Sequence, residues 1–552
     1  MKNNVRKIMG LSLALILSFG VVGCSGGGKT ADDEQTADDE QTLEIYCNDS
    51  GYGTDWCDAM IEAFKEQAWV KEKYPNLKIP KPTYNSINTY VTDRISTNAD
   101  SNTFDLMFTG KMYSYSGSQY LLDLTDVVYN QKVPGEDVLY KDKMDDSYLK
   151  SLTYVDKKTE EEKLYMTPWA SGMEGICYNQ KILDAYNLKV PNTTNELSNA
   201  CAVIKATPSK SGNEYGYSII QSKDATYWDY LFEIFWAQYD GIKTVDDFWN
   251  GKYFDEDLNG YVVSNEIFNH LGRKKALDVY ADVLDYDKGY VSSNSFTDEF
   301  MAAQTSFLDG KYAFHVNGDW FDNEMYEISE AIKDEGGDVS GIKIMKTPIV
   351  SSIIERPECQ TIENDAELSA LITAIDNGST ALTGTGYDVS QEAYDKIKEA
   401  RSIVFSIGAQ LTSIIPSYAK GKDVAVDFLR FMATDIGIET YMEASYGAGL
   451  PFDYDVKTEN VDLYNKLSTF QQGRIDYFNS YDVYTLPDPS KYPLQTYGGL
   501  WYLASTTQSP WVIFTTNGCP DDKAQSMFDE TKNYWNSNRF LIALENAGLS
   551  SN

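Results

Sequence analysis

Hydrophobic and polar residues alternate over Leu43-Glu44-Ile45-Tyr46-Cys47, which predicts a strand. Trp56, Met60, Ala63, Phe64 and Gln67 then recur at helical spacing, so a helix with one apolar face is expected next. Phe104-Asp105-Leu106-Met107-Phe108 reads as a buried strand, after a helix near residues 89–99. Val424 to Met432 carries Ala425, Phe428, Leu429 and Met432 at helical spacing. Strands and helices that alternate in this way predict α/β architecture around a largely parallel sheet.

The apolar run Ile8 to Val22 is different, because it follows Lys2, Arg6 and Lys7 and closes on Val21-Val22-Gly23-Cys24. That is the order of a secretory signal, with a cysteine placed as in bacterial lipoproteins; the run is short for a spanning helix. Residues 1–23 are therefore expected to be a signal peptide and Cys24 a site of lipid attachment on the extracellular face of the cell membrane. Ser25-Gly26-Gly27-Gly28 and the hexamer Ala-Asp-Asp-Glu-Gln-Thr, written twice over residues 31–42, make residues 24–42 a flexible acidic tether.

The remaining chain, from a total of 552 residues, has room for two or three domains at roughly 100–250 residues each. With 83 acidic against 47 basic residues and a net charge of −36, it repels nucleic acid and anionic lipid, which favours a neutral ligand. Cys47, Cys57, Cys177, Cys201, Cys359 and Cys519 contain no CxxC pair, so a zinc site is not expected. Export permits disulfides among them, and buried thiols are an equal alternative. His270 and His315 share no ligand spacing and are expected to be structural.

Several segments, taken in order, resemble the extracellular solute-binding proteins of bacterial ABC sugar importers, the family that includes maltose-binding protein. They are Phe104-Asp105-Leu106-Met107-Phe108-Thr109-Gly110; Leu164-Tyr165-Met166-Thr167-Pro168-Trp169 running into Ile176-Cys177-Tyr178-Asn179-Gln180-Lys181; Phe307 to Trp320; and the helix from Ala425 followed by Tyr446-Gly447-Ala448-Gly449-Leu450-Pro451. The resemblance spans roughly residues 43–535. It implies a two-lobed periplasmic-binding-protein-like α/β fold of type II, with a hinge and a ligand cleft between lobes that close on the cargo. The implied lobes are 43–166 plus 341–452 and 167–340 plus 453–552, with crossings near Pro168 and near Ile342 to Thr347. Residues 351–405, rich in Ser, Thr, Glu and Gly, look longer than the usual connection.

A sugar presents a C–H face that suits an aromatic plate and a hydroxyl edge that suits polar groups. Ten tryptophans and 41 tyrosines, against 23 phenylalanines, supply many such plates, most of them expected in the core. Trp320, in Asn-Gly-Asp-Trp, matches the family's Gly-x-Trp turn whose tryptophan stacks on sugar, with Gly318 expected to make the bend. Trp169 at the expected crossing, Trp228 within Thr226-Tyr227-Trp228-Asp229-Tyr230, and Trp501 within Tyr497-Gly498-Gly499-Leu500-Trp501-Tyr502 are the other aromatic candidates. For hydroxyl recognition the candidates are Asp49, Lys111, Glu174 and Asp319, three of them near strand ends or the crossing and Asp319 beside Trp320. What the resemblance implies is a monomeric, non-catalytic receptor that passes a sugar, by preference an oligosaccharide, to permease subunits, with no required cofactor.

Three other readings remain. Asp255, Asp257, Asn259, Tyr261 and Glu266 fit an EF-hand calcium loop around Gly260, although Asn259-Gly260 is equally a hairpin turn. A glycan-active hydrolase would need two carboxylates at about 5–10 Å, which the sequence does not single out; it has no Gly-x-Ser-x-Gly and no His-Glu-x-x-His. A surface glycan-binding adhesin is the remaining alternative.

Overall fold

The computed structural model describes residues 41–86, 89–110, 112–156, 158–210, 212–224, 226–255, 257–379, 389–405, 411–479, 484–486, 510–515 and 522–546. Two five-stranded sheets organise them. In the first, the spatial order is Thr83–Asn85, Ile45–Asn48, Leu106–Gly110, Leu411–Ile414, Thr167–Pro168. The second is built around Glu174–Asn179, which pairs with Phe314–Gly318 on one side and with Ile342–Met345 and Ile403–Phe405, the latter continued by Tyr484–Leu486.

The first strand and helix form as their patterns predict. Ile45, Tyr46 and Cys47 are buried. Helix Asp55–Glu66 turns Trp56, Cys57, Met60, Ile61 and Phe64 inward and keeps Asp55 and Asp58 in its first turn, where they favour the helix dipole. Its apolar side meets helix Asp435–Ala444, with Trp56 and Tyr441 ring centroids 5.1 Å apart. Each fully buried large apolar side chain there contributes about 1.5–3 kcal/mol.

The expectation of a largely parallel sheet holds only in part, for the start of the first sheet and for the pairing of Ile403–Phe405 with Tyr484–Leu486 in the second. Ile45–Asn48 runs parallel to both Thr83–Asn85 and Leu106–Gly110, but Leu411–Ile414 runs antiparallel to Leu106–Gly110, and Glu174–Asn179 is antiparallel to its three partners. Strand Leu411–Ile414 follows Ile403–Phe405 of the other sheet and enters with Leu411 opposite Gly110, so it runs back down the sheet. A strand that returns from a neighbouring body starts at the junction end and has no other direction available.

The sequence grouped residues 341–452 with the first sheet. Leu368, Leu371, Ile372 and Ile375 of helix Asp365–Asp376, with Ala393, Tyr394, Ile397 and Ala400 of helix Gln391–Ser402, pack instead in the core of the second sheet. Helix Lys422–Met432 and helix Asp435–Ala444 pack in the first. Among the described residues no helix is long and apolar enough to cross a membrane.

The segment weighed as a calcium loop is a hairpin. Strand Lys252–Asp255 pairs with Gly260–Val263, Asp255 lies opposite Gly260, and Asn259 takes a left-handed φ of 47° in the turn. Asp257 lies within that turn, Asp255 Oδ1 accepts from the Leu258 N–H, and Glu266 accepts from the Asn269 amide on a following 3₁₀ turn. Tyr261 packs edge-on against Phe254. Among the described residues no three His, Cys, Asp or Glu side chains are grouped to hold a metal ion.

Cys47, Cys57, Cys177, Cys201 and Cys359 are free and buried, which favours the thiol alternative for these five; Cys519 lies outside the described residues. His315 is buried, its Nδ1 2.8 Å from the Ile220 carbonyl and its ring against Phe307, a structural placement.

Candidate functional site

The junction between the two sheets is built where strand ends meet. Gly318 ends its strand opposite Glu174, and the next residues, Asp319 and Trp320, turn toward the first sheet. Trp320 is 5 % exposed and belongs to the first sheet's core, although the strand that carries it lies in the second. Its ring meets Tyr52 edge-on, at 6.3 Å between centroids. Tyr52 also meets Trp169 edge-on at 6.3 Å, and Trp169 stacks on Trp56 at 5.2 Å while its indole N–H donates to the Thr109 carbonyl at 2.8 Å.

Gly318 is required for a reason other than the expected bend. Its φ is not positive; a Cβ there would collide with the Trp320 ring folded back over it. Gly51 is constrained from the other side, since its Cβ would sit 2.8 Å from the same indole.

Asp319 is the polar centre. Its Oδ1 accepts from the Tyr52 hydroxyl at 2.8 Å and its Oδ2 from Arg474 Nε. Its N–H donates to the Met173 carbonyl, and its own carbonyl accepts from Gln471 Nε2 at 3.0 Å. Burial pushes the Asp319 carboxyl above the ordinary range against the opposing pull of Arg474. Burial, and next the Asp319 charge, raise the Tyr52 hydroxyl well above its usual value. Arg474 Nη2 donates to the Ser171 carbonyl at 2.7 Å and to Ser171 Oγ at 3.2 Å, and Ser171 N–H donates to the Gly449 carbonyl. One guanidinium therefore ties together the segment after Pro168, the Asp319 turn and helix Thr469–Phe478. A cavity of about 930 Å³ lies beside it, with Tyr148, Ser171, Gly449, Phe452 and Phe478 in its wall.

Glu324 borders the junction as well. A Cβ on Gly51 would lie 3.1 Å from its Oε1, and its Oε2 accepts from Gln304 Nε2 at 2.9 Å. Burial pushes its carboxyl up to about 7. Asp322, two residues before, is raised to about 6 by burial and accepts from Ser468 Oγ at 2.5 Å.

The structure brings Trp320, Asp319 and Trp169 together among the expected residues. Glu174 lies buried at the same end of the second sheet, in register with Gly318 and Phe405. Trp228 does not join them: it sits in the second core, stacked on Trp511 at 6.0 Å and edge-on to Tyr280. Asp49 is exposed beyond the first strand, with its N–H donating to the Asn85 carbonyl. Lys111 and Trp501 lie outside the described residues. Tyr52, Arg474, Ser171, Gln471 and Glu324 were missed. Tyr52 had a signal, Gly51-Tyr52-Gly53 directly after a strand; Arg474 had none.

No characterised protein sequence matches the chain significantly. Solved structures do. The GacH receptor of Streptomyces glaucescens superposes with a TM-score of 0.54 at 14 % identity, covering 91 % of this chain and 98 % of that one. Ligand-free RafE from Streptococcus pneumoniae gives 0.53 at 14 % identity, covering 91 % and 99 %. A structure from work on xylan utilization by Caldanaerobius polysaccharolyticus gives 0.53 at 15 %, covering 90 % and 98 %. At such identities these likenesses establish the two-lobed α/β fold. Residues 59–341, more than half of the chain, match the bacterial extracellular solute-binding proteins, and the protein belongs to that family of transport receptors, which bind their ligands and are not enzymes.

Proposed function

We propose that this protein captures a carbohydrate, by preference an oligosaccharide, between its two halves and delivers it to the permease of an ABC importer while anchored to the outer face of the membrane through lipid on Cys24. The observation that carries this reading is the pair of rings Trp320 and Tyr52, backed by Trp169 in the first core, beside a carboxylate, Asp319, neutralised by Arg474. Flat rings suit the C–H face of a pyranose, and a pair of opposite charges suits a neutral, hydroxyl-rich ligand better than an ion. Similar folds support the sugar: GacH is described in complex with acarbose and RafE in complex with raffinose. Trp320 is buried against the first core, so the halves must part before a ligand reaches it. The anchor rests on the leader and on the polar spacer behind it.

A thermal-shift panel of mono- and oligosaccharides, amino acids and peptides tests the cargo, because a ligand bound only by the native state raises Tm. A shift confined to one glycan class supports the proposal. A shift with peptides and none with sugars overturns the carbohydrate. Labelling with radioactive palmitate in a bacterial host tests the anchor, and Cys24→Ser is expected to abolish incorporation.

A further inference from the structure

We infer that Tyr326 and Tyr446 form a clasp at the rim of the junction that sets how far the ligand-free receptor closes, an inference that rests on the proposed closing of two halves. Tyr326 opens helix Tyr326–Asp334, which follows the Trp320 turn. Tyr446 follows helix Asp435–Ala444, which packs on helix Asp55–Glu66 in the first core. The two rings stack face to face with centroids 3.9 Å apart and planes 17° from parallel. They join the two halves.

Neighbouring residues hold the same segment. Asn323 Nδ2 donates to the Ser445 carbonyl at 3.1 Å, next to the stacked ring. Tyr446 holds a left-handed φ of 55° just past the end of helix Asp435–Ala444, where the Gly447 N–H donates to the Met442 carbonyl, so the helix terminus itself presents the ring. Gly447 continues the turn at φ 107°, and a Cβ on it would run into Gln471, the side chain that also holds the Asp319 carbonyl. Residues 445–447 of the first half are thus gripped by Asn323, Tyr326 and Gln471. Parting the halves breaks the stack while Tyr446 keeps its place at the end of its own helix. The stack and the Asn323 bond both favour the closed form.

A ligand that binds the closed form is helped by whatever already populates it, and weakening the clasp lowers apparent affinity by one factor for every ligand. An aromatic stack of this kind is worth roughly a two- to tenfold change in that population. The test uses small-angle X-ray scattering of ligand-free protein, with Tyr326→Ala, Tyr446→Asn, the double variant and Tyr326→Phe. Asn tolerates the left-handed conformation while removing the ring, and Tyr326 is 37 % exposed, so folding is expected to survive. The expected result is a larger radius of gyration in both single variants, no further increase in the double variant, and the wild-type value in Tyr326→Phe. Unchanged radii in folded Tyr326→Ala and Tyr446→Asn, with only Tm lowered, overturn the clasp. Because the readout needs no ligand, it stands whether or not the cargo proves to be a sugar.

Discussion

Tyr52 donates its hydroxyl hydrogen to Asp319 at 2.8 Å across 267 positions of sequence. That bond joins the loop after the first strand to the turn that carries Trp320, and its geometry leaves no room for a side chain at Gly172. A Cβ there would strike the Tyr52 hydroxyl and come within 2.6 Å of Asp319 Oδ1. Gly172→Ala is expected to separate the two and to cost about 1–3 kcal/mol of stability, since a buried polar group loses its partner. Urea unfolding checks the size; ligand affinity, once a cargo is known, should fall by more than the stability does.

Arg474 and Asp319 form a buried ion pair, with side chains 5 % and 0 % exposed. Removing one member strands the other, so Arg474→Met is expected to destabilise by about 3–5 kcal/mol. Adding Asp319→Leu to that variant should restore most of the loss, because no charge is then left buried. A double-mutant cycle in urea reads the coupling, and additive single effects would show that the pair does not act as a unit.

Stability should carry a pH signature at Glu324. Its carboxyl rises from 4.5 to about 7 in the native state through burial, so the native protein holds a proton that the unfolded chain releases. The burial cost is absent below pH 4.5, grows as pH rises, and is complete above pH 7, amounting to about 3 kcal/mol. Glu324→Gln should therefore gain on wild type by that order between pH 5 and pH 8. His270 and His315, lowered to about 4 by burial, act in the opposite sense below pH 6.5, adding stability as pH rises from 4. The wild-type-minus-variant difference isolates Glu324 from them.

The five described cysteines should behave as core residues. Burial raises the Cys201 thiol to about 12 and Cys359 to about 11, and Cys47 and Cys177 well above the ordinary range. A thiol that ionises so reluctantly is a poor nucleophile. Dithionitrobenzoate should react with these five only on unfolding, and a reductant should leave Tm unchanged. Fast reaction in native buffer at a position mapped to any of them would contradict the burial.

Much of the local structure was legible from spacing. Trp56, Met60 and Phe64 at intervals of four fixed a helix because only one face can be buried, and Ala425, Phe428, Leu429 and Met432 did the same for helix Lys422–Met432. The hairpin at Lys252–Val263 was one of two patterns that fit Asp255 to Glu266, and its pairing left Asp255 and Glu266 engaged with Leu258 and Asn269. Strand direction was less accessible. Alternating elements say which segments are strands, but not from which end of the sheet the chain re-enters.

The sequence by itself determined the α/β class and the Trp320 turn, since each depends on neighbours within a few residues. Only the tertiary structure decided which aromatics face the junction and which fill a core. Trp169 and Trp228 read alike along the chain, yet one lies in the first core between Tyr52 and Trp56, next to the junction, and the other lies in the second core against Trp511. It also supplied Arg474, a single cation in a polar helix whose importance comes from burial against Asp319, 155 positions away. The physical reason is that pattern encodes which side of an element avoids water, whereas a site is made by distant elements whose approach no local pattern records.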